Sequence, residues 1–376
     1  MINKKRLVKL LQDIIKIDTC NPPGNEYKLA RFLKSYLSKY GIKSKIIEFY
    51  PRRSNILFRL KSKKRKKTLA CLLHLDTVPV EEDWKHSPFG GRIEKDKIFG
   101  RGATDCKGNI AACIEALLCL KGSHSLENLD IVFCATSDEE MGSHKGLIPL
   151  LKSKKLNADM SLVLDSENFE IIVSQKGLLH IEVEILGKSA HASVPQKGIN
   201  AIYKSSQIIN DIYNLKFKYK PISFLKPPTV NVGTIQGGVK TNIVAPTCKF
   251  TLDVRYLPDM NYLKIIKDIK AIISKYSKRY NLKIVDHQKP IMINSQDKYL
   301  KGLIKAVKMN NMKPKLRGSE GATVMSILKD YGFASFAFGF GEKFKSHTKD
   351  EYIKITSLIK GARILYDYFL LLDKNI

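Results

Sequence analysis

Several short stretches of this 376-residue chain carry residue types able to bind a metal ion or move a proton. In LLHLDTVPV (72–80) an apolar run ends at His74 and, two residues on, Asp76. Side chains two apart on a strand share a face, and a carboxylate that orients an imidazole is a common feature of metal centres. In isolation such a pair is more often an ordinary hydrogen bond. The pair is not isolated, however. GRGATDCKGN places Asp105 in a glycine-rich loop before a helical stretch, and CATSDEEMGS puts Asp138, Glu139 and Glu140 directly after a strand-like one. Asp165 ends LVLD, and His347 lies in KSHTKDEY beyond ASFAFGFG. Loop aspartates often cap helices and adjacent glutamates are usually solvated. Their recurrence after successive strands points instead to one crevice, since ligands of open α/β sheets gather at the carboxyl ends of strands.

The elements that must position these residues follow from periodicity. Leu7, Leu10, Leu11, Ile14 and Ile15 recur at helical spacing, and a second helical stretch follows TCNPPGNE, whose prolines and glycine break any helix. Strand-like KSKIIEF, NILFRL, TLACLLHL, LDIVFCATS and MSLVLDS alternate with helical KGNIAACIEALLCLK and HKGLIPLLKS, which predicts an α/β sheet covered on both faces. After SQKG (174–177) the texture changes. LLHIEVEILG alternates apolar and polar, and the order that follows is β-α-β-β-α-β, the split pattern of a ferredoxin-like domain. The fold class expected is therefore α/β with two domains. A mixed α/β domain is formed by 1–177 and 289–376, and a ferredoxin-like domain at 178–288 is inserted into it.

The net charge of +29 invites a nucleic-acid reading, above all at KSKKRKK (61–67). The excess is spread over every segment, and no nucleic-acid module accompanies it. That run is read as a solvated hairpin loop between NILFRL and TLACLL, and no specific nucleic acid is expected. No apolar run is long enough to cross a bilayer, and the first residues lack the apolar core and cleavage site of a signal peptide. Seven cysteines, an odd number without close pairing, suggest reduced thiols and a cytoplasmic location.

Taken together, NPPGNE, HLDTVP, GRGATDCKG, SDEEMGS, KGLLHIEVEILGKSAHASVPQKGINAI, LDVRYLP and HTKDEYI resemble, in order and across essentially the whole chain, the landmarks of the M20 metallopeptidases and amidohydrolases. That family includes acetylornithine deacetylases, succinyl-diaminopimelate desuccinylases, aminoacylase-1 and carboxypeptidase G2. The resemblance implies two zinc ions per chain, with cobalt or manganese as substitutes, and hydrolysis of the amide bond of an N-acyl amino acid or short peptide. It implies that His74 and Asp165 hold one ion, Glu140 and His347 the other, and that Asp105 bridges them. Asp76 then orients His74 through its second ring nitrogen, and Glu139 is the general base. The inserted domain becomes a lid that pairs two chains as a homodimer. His191 in GKSAHAS reaches the partner's active site to stabilise the oxyanion, and Arg255 and Asn242 bind substrate.

Two features depart from the pattern. GSEGATVM (318–325) lacks the aspartate of the family's Gly-Gly-Thr-Asp, and Asp165 stands where deacylase members usually carry glutamate, with Glu167 as its competitor. The alternative function is a metal-retaining binding protein without catalysis, whose basic surface holds RNA.

Overall fold

The computed structural model describes residues 2–123 and 125–376. The chain forms a mixed α/β structure divided into two compact units, Met1–Val173 with Ile293–Arg317 and Ile327–Ile376, and Ser174–Met292 with Gly318–Ser326.

In the first unit a sheet runs in the order Ser44–Tyr50, Arg53–Leu60, Leu129–Thr136, Lys67–His74, Met160–Val163, Ser335–Phe338 and the start of strand Glu170–Gln175, as far as Val173. The four strands from Leu129–Thr136 to Ser335–Phe338 are parallel to one another, and the flanking ones are antiparallel. All eight residues of Leu129–Thr136 are buried, as a strand covered on both faces requires. Helix Lys107–Ser123 is buried from Lys107 through Leu120, so its apolar character all round reflects packing on every side. Helix Lys4–Ile15 buries Leu7, Leu10, Leu11, Ile14 and Ile15 on one stripe and is capped by Asn3, whose side chain accepts from the Arg6 N–H at 3.0 Å.

The basic run 61–67 is not a hairpin loop. Its flanking strands do not pair with each other, because Leu129–Thr136 lies between them in the sheet. The loop instead crosses the start of that strand, where the backbone N–H groups of Lys63, Lys64 and Lys66 donate to the carbonyls of Leu126, Glu127 and Asn128. A three-stranded sheet, Arg92–Glu94, Lys97–Phe99 and Tyr352–Lys354, also belongs to this unit.

Two close approaches shape the loops after the parallel strands. A Cβ on Gly146 would sit 1.8 Å from the Ser137 carbonyl oxygen, and one on Gly339 would sit 1.8 Å from that of Ser166. Only glycine lets the backbone pass so near.

The second unit holds an antiparallel sheet ordered Thr229–Gly237, Thr247–Tyr256, Gly177–Leu186, Tyr280–Gln288. Alternate residues of its central strands, such as Ile181, Val183, Ile185, Phe250, Leu252 and Val254, pack with Ile208 and Ile212 of helix Ala201–Tyr213 and Ile265, Ile269 and Ile273 of helix Tyr262–Tyr276. The stretch 318–326, left by the sequence with the segments of the larger domain, groups with this unit. Polar pairs hold it there: the Gln175 side chain accepts from Thr323 Oγ1 at 2.6 Å and donates to Ser326 Oγ at 2.6 Å, and Lys176 Nζ meets Glu320 at 2.5 Å. Among the described residues no helix is long and apolar enough to cross a membrane.

Candidate metal centre

The carboxyl ends of the parallel strands lie along one edge of the sheet, and the chemistry-bearing residues follow them. His74 is the last residue of its strand, Asp138 to Glu140 follow Thr136, Asp165 follows Val163, and His347 lies beyond Phe338. Asp105 comes from the loop before helix Lys107–Ser123.

Asp105 is the centre of the cluster. Its Oδ1 lies 2.8 Å from His74 Nε2 and its Oδ2 lies 3.2 Å from His347 Nε2. Asp165 Oδ1 is 3.6 Å from His74 Nε2, and Glu140 Oε2 is 3.3 Å from His347 Nε2. Ligand atoms of Asp105, Glu140 and His347 fall within 4.8 Å of one another, as do those of His74, Glu139 and Asp165. A cleft of about 230 Å³ opens over them, lined by Thr104, Asp105, Glu139, Glu140, Asp165, Ser166, Glu167, Ser346 and His347.

A second layer of groups holds these side chains in place. The second ring nitrogen of His74 is 2.9 Å from the backbone carbonyl oxygen of Asp76, whereas the Asp76 carboxylate stands 3.7 Å away, outside hydrogen-bond range. The expected carboxylate-to-ring bond is thus replaced by a carbonyl acceptor, which fixes the same tautomer. The chain turns after the strand so that the Asp76 carboxylate faces the next loop, where it accepts the N–H groups of Glu139 at 3.1 Å and Glu140 at 3.2 Å.

Glu351, which the sequence did not single out, does the same for Asp105. Its buried carboxylate accepts from the N–H groups of Gly102, Thr104 and Asp105 at 3.0, 2.8 and 3.1 Å, and from Arg101 Nη1 at 3.0 Å. Burial, with the charge of Asp105 next, pushes this carboxyl up to about 6. Glu167 caps the loop before His347: it accepts from the Phe344 N–H at 3.0 Å and from Ser346 Oγ. Asp165, not Glu167, therefore stands beside His74. Asp138 and His347 both adopt positive φ, 69° and 61°. For residues other than glycine such a backbone costs on the order of 1 kcal/mol and persists only where neighbours enforce it.

The electrostatics suit a cation. Burial, then the charge of Asp165, pushes Glu139 well above the usual carboxylate range, and burial raises Glu140 and Asp165 as well. Asp105 goes the other way: burial opposes its ionisation, but His347 and His74 hold it far below the usual range. Asp105 and Glu140 in turn raise His347 to about 10. Glu140 Oε1 is buried without any hydrogen-bond partner, so this carboxylate keeps one acceptor with nothing to receive. Crowded carboxylates, two imidazoles and an orphaned acceptor fit divalent cations, whose charge reverses the repulsion among the acids. Cys106 is near enough to share such a site. Its thiol instead accepts from the His74 N–H at 3.3 Å and donates to the His74 carbonyl at 3.1 Å, and burial pushes it up to about 12. Both hydrogen-bonding roles of the thiol are thus taken by the His74 backbone.

The three remaining candidates lie in the second unit. His191 is exposed, with Nδ1 2.7 Å from Ser193 Oγ, and the exposed Asn242 accepts the Ala192 N–H at 3.0 Å through its backbone carbonyl, so these two loops are adjacent. Arg255 is paired through Nε and Nη2 with both carboxylate oxygens of Asp253, at 2.7 and 2.9 Å.

Residues 70–370 match the model of peptidase family M20/M25/M40. The chain belongs to this family. The M20 chain is 31% identical to an uncharacterised metallohydrolase of Methanocaldococcus jannaschii over 96% of its length and 98% of the relative's. It is 28% identical to a succinyl-diaminopimelate desuccinylase of Buchnera aphidicola, covering 80% of this chain and 83% of that one. Its fold matches the crystal structure of a Bacillus subtilis protein described as a dinuclear metal-binding peptidase of the M20 family, with a TM-score of 0.79 at 14% identity over 99% of both chains. The M20 protein is a metal-binding hydrolase that acts on amide bonds.

Proposed function

We propose that this M20 hydrolase is a co-catalytic dizinc enzyme cleaving N-acyl amino acids or short peptides. The observation that carries the reading is the posture of Asp105, one carboxylate oxygen toward His74 and the other toward His347. His74 and Asp165 would hold one ion, Glu140 and His347 the other, and Asp105 both. This mixture of imidazole and carboxylate donors, two private to each ion plus a shared one, suits zinc with a position left open, and cobalt or manganese as substitutes. When bound, such a pair of ions polarises the scissile carbonyl and makes the attacking water more acidic.

Glu139 takes the water's proton onto its carboxylate and passes it to the departing amine nitrogen. Burial raises its proton affinity, which favours the first of these transfers, the uptake of the water's proton. Asp76 holds the Glu139 and Glu140 N–H groups, so that the two side chains keep separate directions.

The second unit is read as a ferredoxin-like lid that pairs two copies. Its β-α-β-β-α-β order supports this, as do the exposed Tyr203 and Tyr213 on its first helix. His191 then donates to the oxyanion in the other copy's site, while Asn242 and Arg255 bind substrate. Arg255 can offer a substrate carboxylate two parallel hydrogen bonds, in exchange for those it makes to Asp253. Both substrate classes have support: a desuccinylase is among the relatives, and an aspartate at 165 resembles the peptidase branch. All seven cysteines are free, which supports a reducing, cytoplasmic setting.

A panel of N-acetyl amino acids, N-succinyl-diaminopimelate and dipeptides, assayed with zinc, cobalt or manganese, tests the reading. Metal-dependent hydrolysis of at least one class is expected. No hydrolysis of any of them by protein loaded with two ions would contradict it and favour the binding-protein alternative.

A further inference from the structure

Behind the turn that carries Glu139 lies a buried ionic network with no part in metal binding. Arg53, 4% exposed, donates through Nε and Nη2 to Glu26 at 2.8 and 2.5 Å, and its Nη2 also reaches Asp138 Oδ1 at 2.9 Å. Glu26 in turn accepts the Asp138 N–H at 3.2 Å. The other Asp138 oxygen accepts the Lys145 N–H at 2.8 Å, and its backbone carbonyl accepts the Ser143 N–H at 2.5 Å. Asn21 Nδ2 links the two acids that flank the turn, lying 2.9 Å from Asp76 Oδ2 and 3.4 Å from Asp138 Oδ1. Every polar group of Asp138 is thus engaged, at a residue whose φ of 69° needs enforcement.

The sequence explains why the network fits. Gly24 has φ +80°, and a Cβ there would lie 2.4 Å from Arg53 Cζ, so NPPGNE supplies Asn21, the gap for the guanidinium and Glu26 within six residues. Three buried charges and a buried amide are expensive to maintain for folding alone, since well-packed apolar residues often serve stability as well.

We infer that Arg53, with Glu26 and Asn21, is a positioning residue for hydrolysis: it clamps Asp138 in the left-handed conformation that aims Glu139 at the attacking water. The inference rests on the reading of Glu139 as the base. Lysine at 53 keeps the charge but cannot span Glu26 and Asp138 with a planar fork. A small misplacement of a proton acceptor is enough to slow the reaction severely.

The test is a double-mutant cycle on the metal-loaded enzyme, with kcat, KM and metal content measured for Arg53→Lys, Glu139→Gln and the double variant. Arg53→Lys is expected to lower kcat roughly ten- to a hundredfold with KM and metal content near wild type. In the Glu139→Gln background the same substitution should cost little further, because the group it positions is already disabled. Losses that multiply, or a loss confined to KM, would overturn the inference and leave Arg53 a structural residue. Full activity in Glu139→Gln alone would instead overturn the reading of the base. Should Arg53→Lys not fold, Asn21→Ala removes the link between Asp76 and Asp138 while sparing the Glu26 to Arg53 pair, and the same pattern is expected of it.

Discussion

The two ends of the parallel strands handle carboxylates in opposite ways. At the amino ends each acid has donors of its own. Asp130 accepts from the Ser62 N–H at 2.7 Å and from Arg59 at 3.0 Å, Asp159 from the Thr68 N–H at 2.8 Å and Lys67 at 2.7 Å, and Asp373 from the N–H groups of Glu127, Asn128 and Leu129. Asp130 and Asp159 are held below the usual carboxylate range: burial opposes ionisation, and these hydrogen bonds outweigh it. At the carboxyl ends Glu139, Glu140 and Asp165 crowd one another and are pushed up, chiefly by burial. Acids with donors of their own, among them Asp76 and Asp138 at the carboxyl end, hold structure, whereas Glu139, Glu140 and Asp165 crowd together without enough donors, and the groups around each acid tell the two kinds apart.

The sharpest way to break this contrast is to neutralise one acid from each end. Glu139→Gln keeps the shape but cannot accept a proton, so hydrolysis should fall by roughly a hundredfold or more while metal content stays unchanged. Its cost to folding should be nil. An acid whose folded pKa is raised carries a penalty above its unfolded pKa, so metal-free Glu139→Gln should melt no lower than wild type at pH 7. A clearly lower melting temperature would place Glu139 with the structural acids.

Asp130→Asn should do the reverse, leaving metal-loaded kcat/KM intact while destabilising the fold by about 1–3 kcal/mol through lost charged hydrogen bonds. The pH dependence has a definite sign. Asp130 has a depressed folded pKa, so its charge contributes stability above the unfolded value of about 3.9, and that contribution is lost as pH falls through the folded pKa. Denaturant melts at pH 7 and below about pH 4 should show the gap between wild type and variant closing in acid. A gap independent of pH would mean that shape, not charge, holds that loop.

The smallest effect concerns the basic run at the amino-end side. Lys63 and Lys67 are paired with Glu127 and Asp159. Binding to generic RNA or DNA should be weak and should collapse between low and physiological salt. Salt-resistant, sequence-selective binding in a filter or anisotropy assay would give this end of the sheet a function of its own.

The convergence of His74, Asp105, Glu139, Glu140, Asp165 and His347 on one sheet edge was legible because strand ends can be read from apolar runs, whereas the role proposed for each came from the family resemblance. What was not legible depends on partners far apart in the chain. Glu351 meets Asp105 across 246 positions, and although it lies within HTKDEYI, nothing in that run says which group its carboxylate meets. Arg53 lies next to a strand-like stretch and reads as an ordinary surface residue until Glu26 and Asp138 are brought to it. The acceptor for His74 was misjudged because a backbone carbonyl has no residue type to recognise. In the fold, the strands Arg92–Glu94, Lys97–Phe99 and Tyr352–Lys354 are three residues each, too short for a period-two signal, and the pairing around 61–67 depended on which strand came between.

The central claim is that Asp105 serves two cations at once, and metal analysis after exhaustive dialysis tests it most directly. Wild type should retain about two ions per chain, His347→Ala should lose one preferentially, and Asp105→Ala should weaken both because it removes a ligand from each. Two tightly held ions in Asp105→Ala would contradict the shared bridge and the assignment of ligands built on it.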